Sequence, residues 1–316
     1  VDVDACCDGE DVLIGGIMEH IEQAGVHSGD SGCSLPPNSL TAETQAELRD
    51  QTRKLAKALS VIGLMNIQFA IQNGIIYVLE VNPRASRTAP FVSKATGLQL
   101  AKIGARVMTG KKMKNMENVT EIVPPYFSVK EAVFPFTKFP EADPILGPEM
   151  KSTGEVMGID TTLGRAYYKA MLAAGNPLPT EGVVYITVRD EDKEAILPVA
   201  RKLVELGLTL YATKGTASYL RAHGIEATTV YRISEGQSPD ALGLMRRGEI
   251  KLVINTPSAT SGARRDGYMM RRLAVDMNIP FITTIQGARA AVHAIEESRR
   301  EPLDVKPLRA YHASKG

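Results

Sequence analysis

The run Ile75-Ile76-Tyr77-Val78-Leu79-Glu80-Val81-Asn82-Pro83-Arg84-Ala85-Ser86-Arg87-Thr88 decides the fold, because it carries an apolar strand straight into a proline stop and two arginines. The strand must end at Asn82-Pro83, since proline cannot donate to a ladder. A second run of strand formers, Leu64 to Ile71, precedes it across Gln72-Asn73-Gly74, so the two read as a hairpin. Gln68, Glu80 and Asn82 are the polar intruders in these apolar runs. A two-residue Asn73-Gly74 turn would pair Gln72 with Ile75 and put Gln68 and Glu80 on opposite faces. A three-residue loop, with Gly74 left-handed, pairs Ile71 with Ile75 and gathers all three on one face. The three-residue loop is the expectation. One carboxylate and two side-chain amides suit Mg²⁺, which takes few protein ligands and keeps positions for water and phosphate oxygens. Arg84 and Arg87 then stand ready to neutralise a transferring phosphoryl group or its anionic acceptor. The competing reading is an exposed hairpin with a surface arginine pair.

Upstream, Val1 to Ala5 leads through Asp8-Gly9 into Val12-Leu13-Ile14, a hairpin turning at the Asp-Gly step. Opening on a strand and without Met, the sequence reads as cut inside a domain. The stretch Glu19 to Ser34, dense in Gly, His, Asp and Ser, reads as an active-site loop. Phosphoryl transfer asks for positioning and charge neutralisation rather than a base, so His27 is assigned to binding and neither it nor His20 to proton transfer. Thr41 caps a helix whose apolar residues Leu48, Leu55, Ala58 and Leu59 recur at helical spacing until Gly63. Another helix is expected around Leu98 to Met108. Prolines 124, 125, 135, 140, 144 and 148 then break the chain into extended segments laid over the surface.

The small-residue and proline stretch Ala173 to Pro179 divides the chain into domains 1–174 and 175–316. Beyond it, buried-type strands Val183 to Val188, Leu208 to Ala212, Leu252 to Asn255 and Phe281 to Thr283 alternate with helices near 191–206, 216–223, 267–277 and 287–298. The class is α/β after an α+β first part, with a mainly parallel sheet that binds its ligand at the carboxyl ends of the strands. Thr213-Lys214-Gly215-Thr216 can offer amides and hydroxyls to a phosphate at a helix N-terminus. Two further strand ends add to it, Asn255-Thr256-Pro257-Ser258 and the basic stretch Arg264-Arg265-Asp266-Gly267-Tyr268. Arg271 and Arg272 read as a solvated pair.

Composition sets the outer limits. A chain of 316 residues accommodates about two domains. Lys and Arg number 37 against 36 Asp and Glu, for a formal charge of +1, and no window joins basic residues to aromatics, so nucleic acid is not an expected partner. The three cysteines form neither a disulfide framework nor a zinc spacing, which fits a reducing cytoplasm. No apolar run reaches the roughly 18 residues of a membrane span.

The run Glu80 to Thr88, continuing through Pro90-Phe91-Val92-Ser93-Lys94-Ala95-Thr96-Gly97, closely resembles the ATP-grasp domain of the carbamoyl-phosphate synthetase large subunit. So does the stretch from Ile17-Met18-Glu19-His20 to His27-Ser28-Gly29-Asp30-Ser31. The resemblance implies that Gln68, Glu80 and Asn82 hold two divalent ions, Mg²⁺ or Mn²⁺. It implies that Gly25, Val26, His27, Ser28, Gln68 and Glu80 line ATP, that Arg84 and Arg87 act on the acceptor, and that Glu22, Gln23 and Ser28 hold K⁺. In this family only the second of two ATP-grasp halves is followed directly by a small regulatory domain. That order implies the half that phosphorylates carbamate to carbamoyl phosphate, in pyrimidine and arginine biosynthesis. Implied partners are the remainder of the large subunit and a glutaminase small subunit, and the chain alone is expected to turn over little.

Residues 180–298 resemble the methylglyoxal-synthase-like domain that ends this family's large subunit. There Lys193, Thr213, Thr216, Asn255 and Thr256 match effector-contacting positions, with Arg232 standing for a lysine, and the implied effector is a UMP- or IMP-type nucleotide. A lyase acting on a triose phosphate is a rival reading, set aside because the stretch at Asn255 holds no carboxylate to act as base. A stand-alone nucleotide-sensing module is the other alternative. Glu22, Asp30 and Glu131 match an ornithine pocket of some relatives, yet Phe281 and Ile282 replace its tyrosine and aspartate, so no ornithine activation is expected.

Overall fold

The computed structural model describes residues 1–257 and 261–313, so Ser258 of the strand-end motif lies outside the described residues. The first part runs β1 (Asp2–Asp8), β2 (Val12–His20), β3 (Cys33–Leu35), α1 (Ala42–Ala58), β4 (Ile62–Gln72), β5 (Ile75–Asn82), α2 (Ala89–Thr96), α3 (Leu100–Met108), β6 (Phe127–Val133), β7 (Gly154–Asp160) and α4 (Leu163–Ala173). Its strands form one seven-stranded sheet in the order β5-β4-β1-β2-β3-β6-β7, antiparallel throughout. Alternation along β1 explains the layers. Val3, Ala5 and Cys7 pack with Leu48 and Ala56 of α1. Cys6, on the other face, packs with Phe91, Val92 and Leu100 of α2 and α3. That second face also carries Asp2 and Asp4, and the site is built there.

The second part runs β8 (Val183–Thr187), α5 (Lys193–Glu205), β9 (Thr209–Thr213), α6 (Lys214–Ala222), β10 (Thr228–Val230), α7 (Ala241–Arg246), β11 (Ile250–Asn255), α8 (Ser261–Asp276), β12 (Phe281–Ile282), α9 (Ile285–Ser298) and α10 (Leu308–Ala313). The sheet order is β10-β9-β8-β11-β12, and every pair is parallel. α5, α6 and α9 cover one face through Val199, Leu203, Leu220 and Ile295; α7 and α8 cover the other through Leu244, Met245 and Met270. This is the expected three-layer α/β/α arrangement. The inner strands β9, β8 and β11, covered on both faces, read as apolar runs, while the edge strand β10, with Thr228 and Thr229 exposed, was not expected from the sequence.

Several expectations change. The first long helix ends at Ala58, where Ser60 turns left-handed at φ 52°, while Gly63 lies inside β4. The stretch read as a loop from Glu19 to Ser34 contributes the end of β2 and the start of β3. The proline-rich region is not all surface covering, because Phe127–Val133 is an internal strand of the sheet. Between the sheets, α4 lies against β7 so closely that a Cβ on Gly158 would stand 2.0 Å from the Ala166 carbonyl oxygen. The same helix continues into the core beneath α9, where Gly164 meets the Glu297 side chain.

Candidate active site

The β4–β5 hairpin turns on two residues, not three. Gln72 pairs with Ile75, and Asn73 and Gly74 both have positive φ, 53° and 78°, the type I′ requirement that asparagine and glycine meet at least cost. The side-chain argument for a three-residue loop is answered elsewhere. Phe69 pairs with Val78 but Gln68 pairs with Glu80, so Leu79 is an extra residue bulged out of the ladder. The bulge restores the parity that the tight turn removes. Gln68 opposes Glu80, Asn66 opposes Asn82, and on the adjoining β1 Asp2 opposes Gln68 and Asp4 opposes Asn66. Six oxygen-bearing side chains therefore share one face of three neighbouring strands.

This face floors a cavity of about 1180 Å³. Its walls include Gly25, Val26, His27 and Ser28, the donors Gln68, Glu80 and Asn82, the pair Arg84 and Arg87, and Glu22 with Gln23. Every first-domain residue named for the nucleotide, the divalent ions, K⁺ or the acceptor thus borders a single space. The loop over it is fixed by its own polar groups. Gly29 N–H donates to His27 Nδ1 at 3.0 Å, and His27 N–H donates to the Gly147 carbonyl at 2.8 Å. The Asp30 carboxylate accepts from the amides of Lys151 and Ser152 at 2.8 and 2.9 Å. Gln68 Nε2 donates to Ser28 Oγ at 2.9 Å, leaving its oxygen available to the cavity. Arg84 and Arg87 are exposed at the rim.

Burial governs the charges beneath. It raises the Asp4 carboxyl to about 6, against hydrogen bonds from Asn66 and Thr88 that favour the anion. It lowers His20 despite the nearby Asp2. Asp2 itself is 1% exposed, and neither of its carboxylate oxygens is hydrogen-bonded; His20 Nε2 stands 3.3 Å from Oδ1. A buried carboxylate in that state is stabilised by a cation. Among the described residues no three of His, Cys, Asp and Glu gather as metal ligands. The set around Glu80 is instead one carboxylate with amide oxygens, the hard and sparse set that fits Mg²⁺. Asp2, Asp4 and Asn66 were missed in the sequence, although the alternation of acidic and apolar residues in Val1 to Ala5 places both aspartates on one face.

A second cavity of about 290 Å³ opens at the carboxyl ends of β8, β9 and β11, and Lys193, Thr213, Thr216, Arg232, Asn255 and Thr256 all line it. Lys193 Nζ pairs with Asp190 Oδ1 at 2.7 Å, and Thr256 Oγ1 accepts from Arg189 N–H at 3.0 Å. The stretch Asn255-Thr256-Pro257 holds no carboxylate, but two from other segments line this cavity, Asp190 and Asp266. Both are engaged, Asp190 by Lys193 and Asp266 by the Ser234 hydroxyl at 2.8 Å.

The arginine pair on α8 is not solvated. Arg271 is 1% exposed; its Nε and Nη2 grip both oxygens of Asp143 at 2.9 and 2.8 Å, and Nη1 donates to Asn255 Oδ1 at 2.7 Å. Arg272 donates to the Phe136 and Phe139 carbonyls. A third cavity of about 220 Å³ lies between the two sheets, lined by Glu22 and Glu131 with Phe281 and Ile282 among the facing residues. Burial raises both glutamate carboxyls above their ordinary range, and the Glu22 charge raises Glu131 further. Asp30, expected to match here, is not in this lining and spends its carboxylate on the backbone of 151–152.

Residues 1–116 match the family described as carbamoyl-phosphate synthase L chain, ATP binding domain, and residues 195–283 match the MGS-like domain. The chain is 58% identical over 312 residues to the carbamoyl phosphate synthase large chain of Methanoculleus marisnigri, covering 99% of this chain and 29% of that protein. It is 55% identical over 318 residues to the C-terminal section of the large chain of Methanocaldococcus jannaschii, covering 98% and 51% respectively. Against a large chain from Methanosarcina barkeri it is 54% identical over 313 residues, covering 99% of this chain and 78% of the relative. The chain therefore spans from under a third to about three quarters of the relatives it matches.

Proposed function

The chain belongs to the carbamoyl phosphate synthase large-chain family, and from that premise we propose that its first part serves ATP-dependent phosphorylation of carbamate to carbamoyl phosphate while its second binds a regulatory nucleotide. The observation that carries the reading is the convergence of Gln68, Glu80 and Asn82 on one face, with Arg84 and Arg87 at the rim of the same cavity. In the proposed reaction a carbamate oxygen bonds to the γ-phosphorus of ATP, and the bond from that phosphorus to the β–γ bridging oxygen breaks, releasing ADP. Carbamate is already an anion, so no proton need be removed. This agrees with a site in which His27 Nδ1 already accepts a backbone amide and His20 Nε2 stands beside Asp2.

The residues divide the work by charge. Gly25, Val26, His27 and Ser28 line the nucleotide, and Gln68, Glu80 and Asn82 would hold two divalent ions, Mg²⁺ or Mn²⁺, that neutralise phosphate charge. Glu22, Gln23 and Ser28 form the proposed K⁺ site. Arg84 and Arg87, with no ion pair among the described residues, keep their forks for the anionic acceptor. Proposed partners are the rest of a longer large chain and a glutaminase small subunit that supplies ammonia. At the second cavity the proposed ligand is a UMP- or IMP-type nucleotide, its phosphate taken by Lys193, Thr213 and Thr216. Among the described residues no helix is long and apolar enough to cross a membrane. The deciding experiment runs the phosphoryl transfer backwards, as ATP formation from MgADP and carbamoyl phosphate by the large chain carrying this sequence. Arg84→Ala and Arg87→Ala are each expected to lower kcat/KM for carbamoyl phosphate by at least about 100-fold. Unchanged kinetics would remove the reading.

A further inference from the structure

We propose that Asp4 is a positioning residue for the phosphoryl transfer, which sets the amide of Asn66 on the floor of the cavity and anchors the loop that carries Arg84 and Arg87. The proposal rests on the reading above that these arginines take the anionic acceptor. Asp4 is 2% exposed and does not line the cavity; it lies beneath it, on the third strand in from the β5 edge of the sheet. Its Oδ1 accepts from Asn66 Nδ2 at 2.9 Å. A carboxylate can only accept, so this contact commits the amide's N–H₂ downward and leaves its carbonyl oxygen for the face it shares with Asn82. The other oxygen, Oδ2, accepts from the Thr88 hydroxyl at 2.7 Å, 84 residues further along the chain.

Thr88 is where the arginine loop re-enters ordered structure. Its Oγ1 is 3.0 Å from Ser86 Oγ, and Ser86 Oγ accepts the amide of Ala89 at 2.9 Å, at the first turn of α2. At its other end the loop leaves β5 through a tight contact, the Arg84 amide donating to the Asn82 carbonyl at 2.8 Å. One buried carboxylate therefore ties the metal-facing strand β4 to the far end of a loop whose two guanidiniums have, among the described residues, no hydrogen-bond partner beyond the Ala85 carbonyl. An aliphatic residue would satisfy the surrounding core at lower desolvation cost. The carboxylate is explained by what it holds in register.

The test is a double-mutant cycle on the large chain, reading ATP formation from MgADP and carbamoyl phosphate. Asp4→Asn and Thr88→Val are each expected to lower kcat/KM for carbamoyl phosphate by about 10- to 100-fold, with KM for MgADP within about two-fold. Thr88→Ser, which keeps the hydroxyl, should recover most of the loss. The double variant should be no worse than Asp4→Asn alone, since both remove one link. Losses that multiply, an undisturbed Asp4→Asn enzyme, or KM for MgADP rising in step with that for carbamoyl phosphate would each overturn the proposal. Should Asp4→Asn fail to fold, the two Thr88 variants decide it. If Arg84→Ala and Arg87→Ala are themselves without effect, the acceptor reading falls and takes this proposal with it. If they are crippled while Asp4→Asn is intact, this proposal falls alone.

Discussion

Replacing Arg271 by Met tests how the second domain reaches the first. Arg271 does not line the nucleotide cavity, but it holds Asn255, which does. Its other contacts seize Asp143, and the Asp143 carbonyl in turn accepts from Lys151 Nζ at 3.0 Å. The Lys151 amide donates to Asp30, and the intervening Gly147 carbonyl receives the His27 amide in the wall of the larger cavity. The side chains of Asn255, Arg271, Asp143, Lys151 and Asp30, with the short segment 143–151, thus connect the two cavities. Breaking a fully buried ion pair costs about 3–5 kcal/mol. The Asp143 side chain is 34% exposed, so water can replace part of the contact, and a stability loss of about 2–3 kcal/mol is expected. Coupling between sites is typically about 1–3 kcal/mol, or about 5- to 150-fold in affinity. In Arg271→Met the nucleotide should still bind, within about five-fold of the parent Kd by calorimetry. The effect of saturating UMP or IMP on the MgATP Kd should shrink to less than about two-fold. Lysine, which cannot fork across two carboxylate oxygens, should restore only part of it. A variant that binds nucleotide normally and still shifts ATP affinity by the parent factor would refute the route.

Further expectations follow from single positions. Glu80→Gln should abolish tight Mn²⁺ binding by the chain, read by electron paramagnetic resonance, while melting within about 2 °C of the parent because the side chain is exposed. Gly74→Val puts a β-branched residue at φ 78° and should cost about 1–2 kcal/mol in urea unfolding, without an apolar contact being lost. Glu131→Gln should become progressively more stabilising as pH rises. The folded carboxyl is raised by burial and by Glu22, so above the ordinary glutamate range the unfolded chain releases its proton first and the native state loses ground. Glutamine escapes that loss, and the gap in Tm between the two proteins should widen from pH 4.5 upward until the raised folded value is passed; a gap independent of pH would contradict the assignment. Ornithine should show no heat of binding, since Phe281 and Ile282 offer its charged ends no partner in the junction cavity.

What was legible in the sequence depended on how local the determining physics is. Four strands of the parallel α/β part could be read from their apolar runs, whereas the edge strand β10, Thr228-Thr229-Val230 with both threonines exposed, carries no such mark and was missed. That the second cavity opens at the carboxyl ends of β8, β9 and β11 agrees with the rule that such sheets bind at strand ends, whereas the individual residues named there came from the family resemblance. The β4–β5 hairpin was harder. Its polar residues declared which side chains must converge, but two backbone solutions meet that demand, a longer turn or a bulge. Asn73-Gly74 supports the type I′ turn so well that the parity had to be repaired at Leu79, a residue with no sequence mark of a bulge. The arginines of α8 were misjudged for a different reason. Helical periodicity gives the face a residue points from, not what lies opposite, and what lies opposite Arg271 is Asp143, 128 residues away.

The proline-rich stretch shows why that distant partner matters. Beyond β6 its prolines, at 135, 140, 144 and 148, exclude long helices and further ladders, which made it look like passive covering. Yet a segment unable to satisfy its own backbone must find partners elsewhere, and here it finds them on both sides. The Phe136 and Phe139 carbonyls go to Arg272, the Asp143 and Ile145 carbonyls to Lys151, the Gly147 carbonyl to His27, and the 151–152 amides to Asp30. Because Arg272 of α8 holds one end of the segment and His27 and Asp30 of the first part hold the other, with Lys151 bracing it from within, a shift at either end cannot be absorbed inside the segment by a regular ladder. Replacing Pro144 or Pro148 with alanine would leave every one of these contacts available and only loosen the chain between them. If the segment transmits by stiffness, such variants should weaken the effector's influence on ATP by about two-fold or more at unchanged affinity for either ligand alone; if only the Arg271 contact counts, they should behave as the parent.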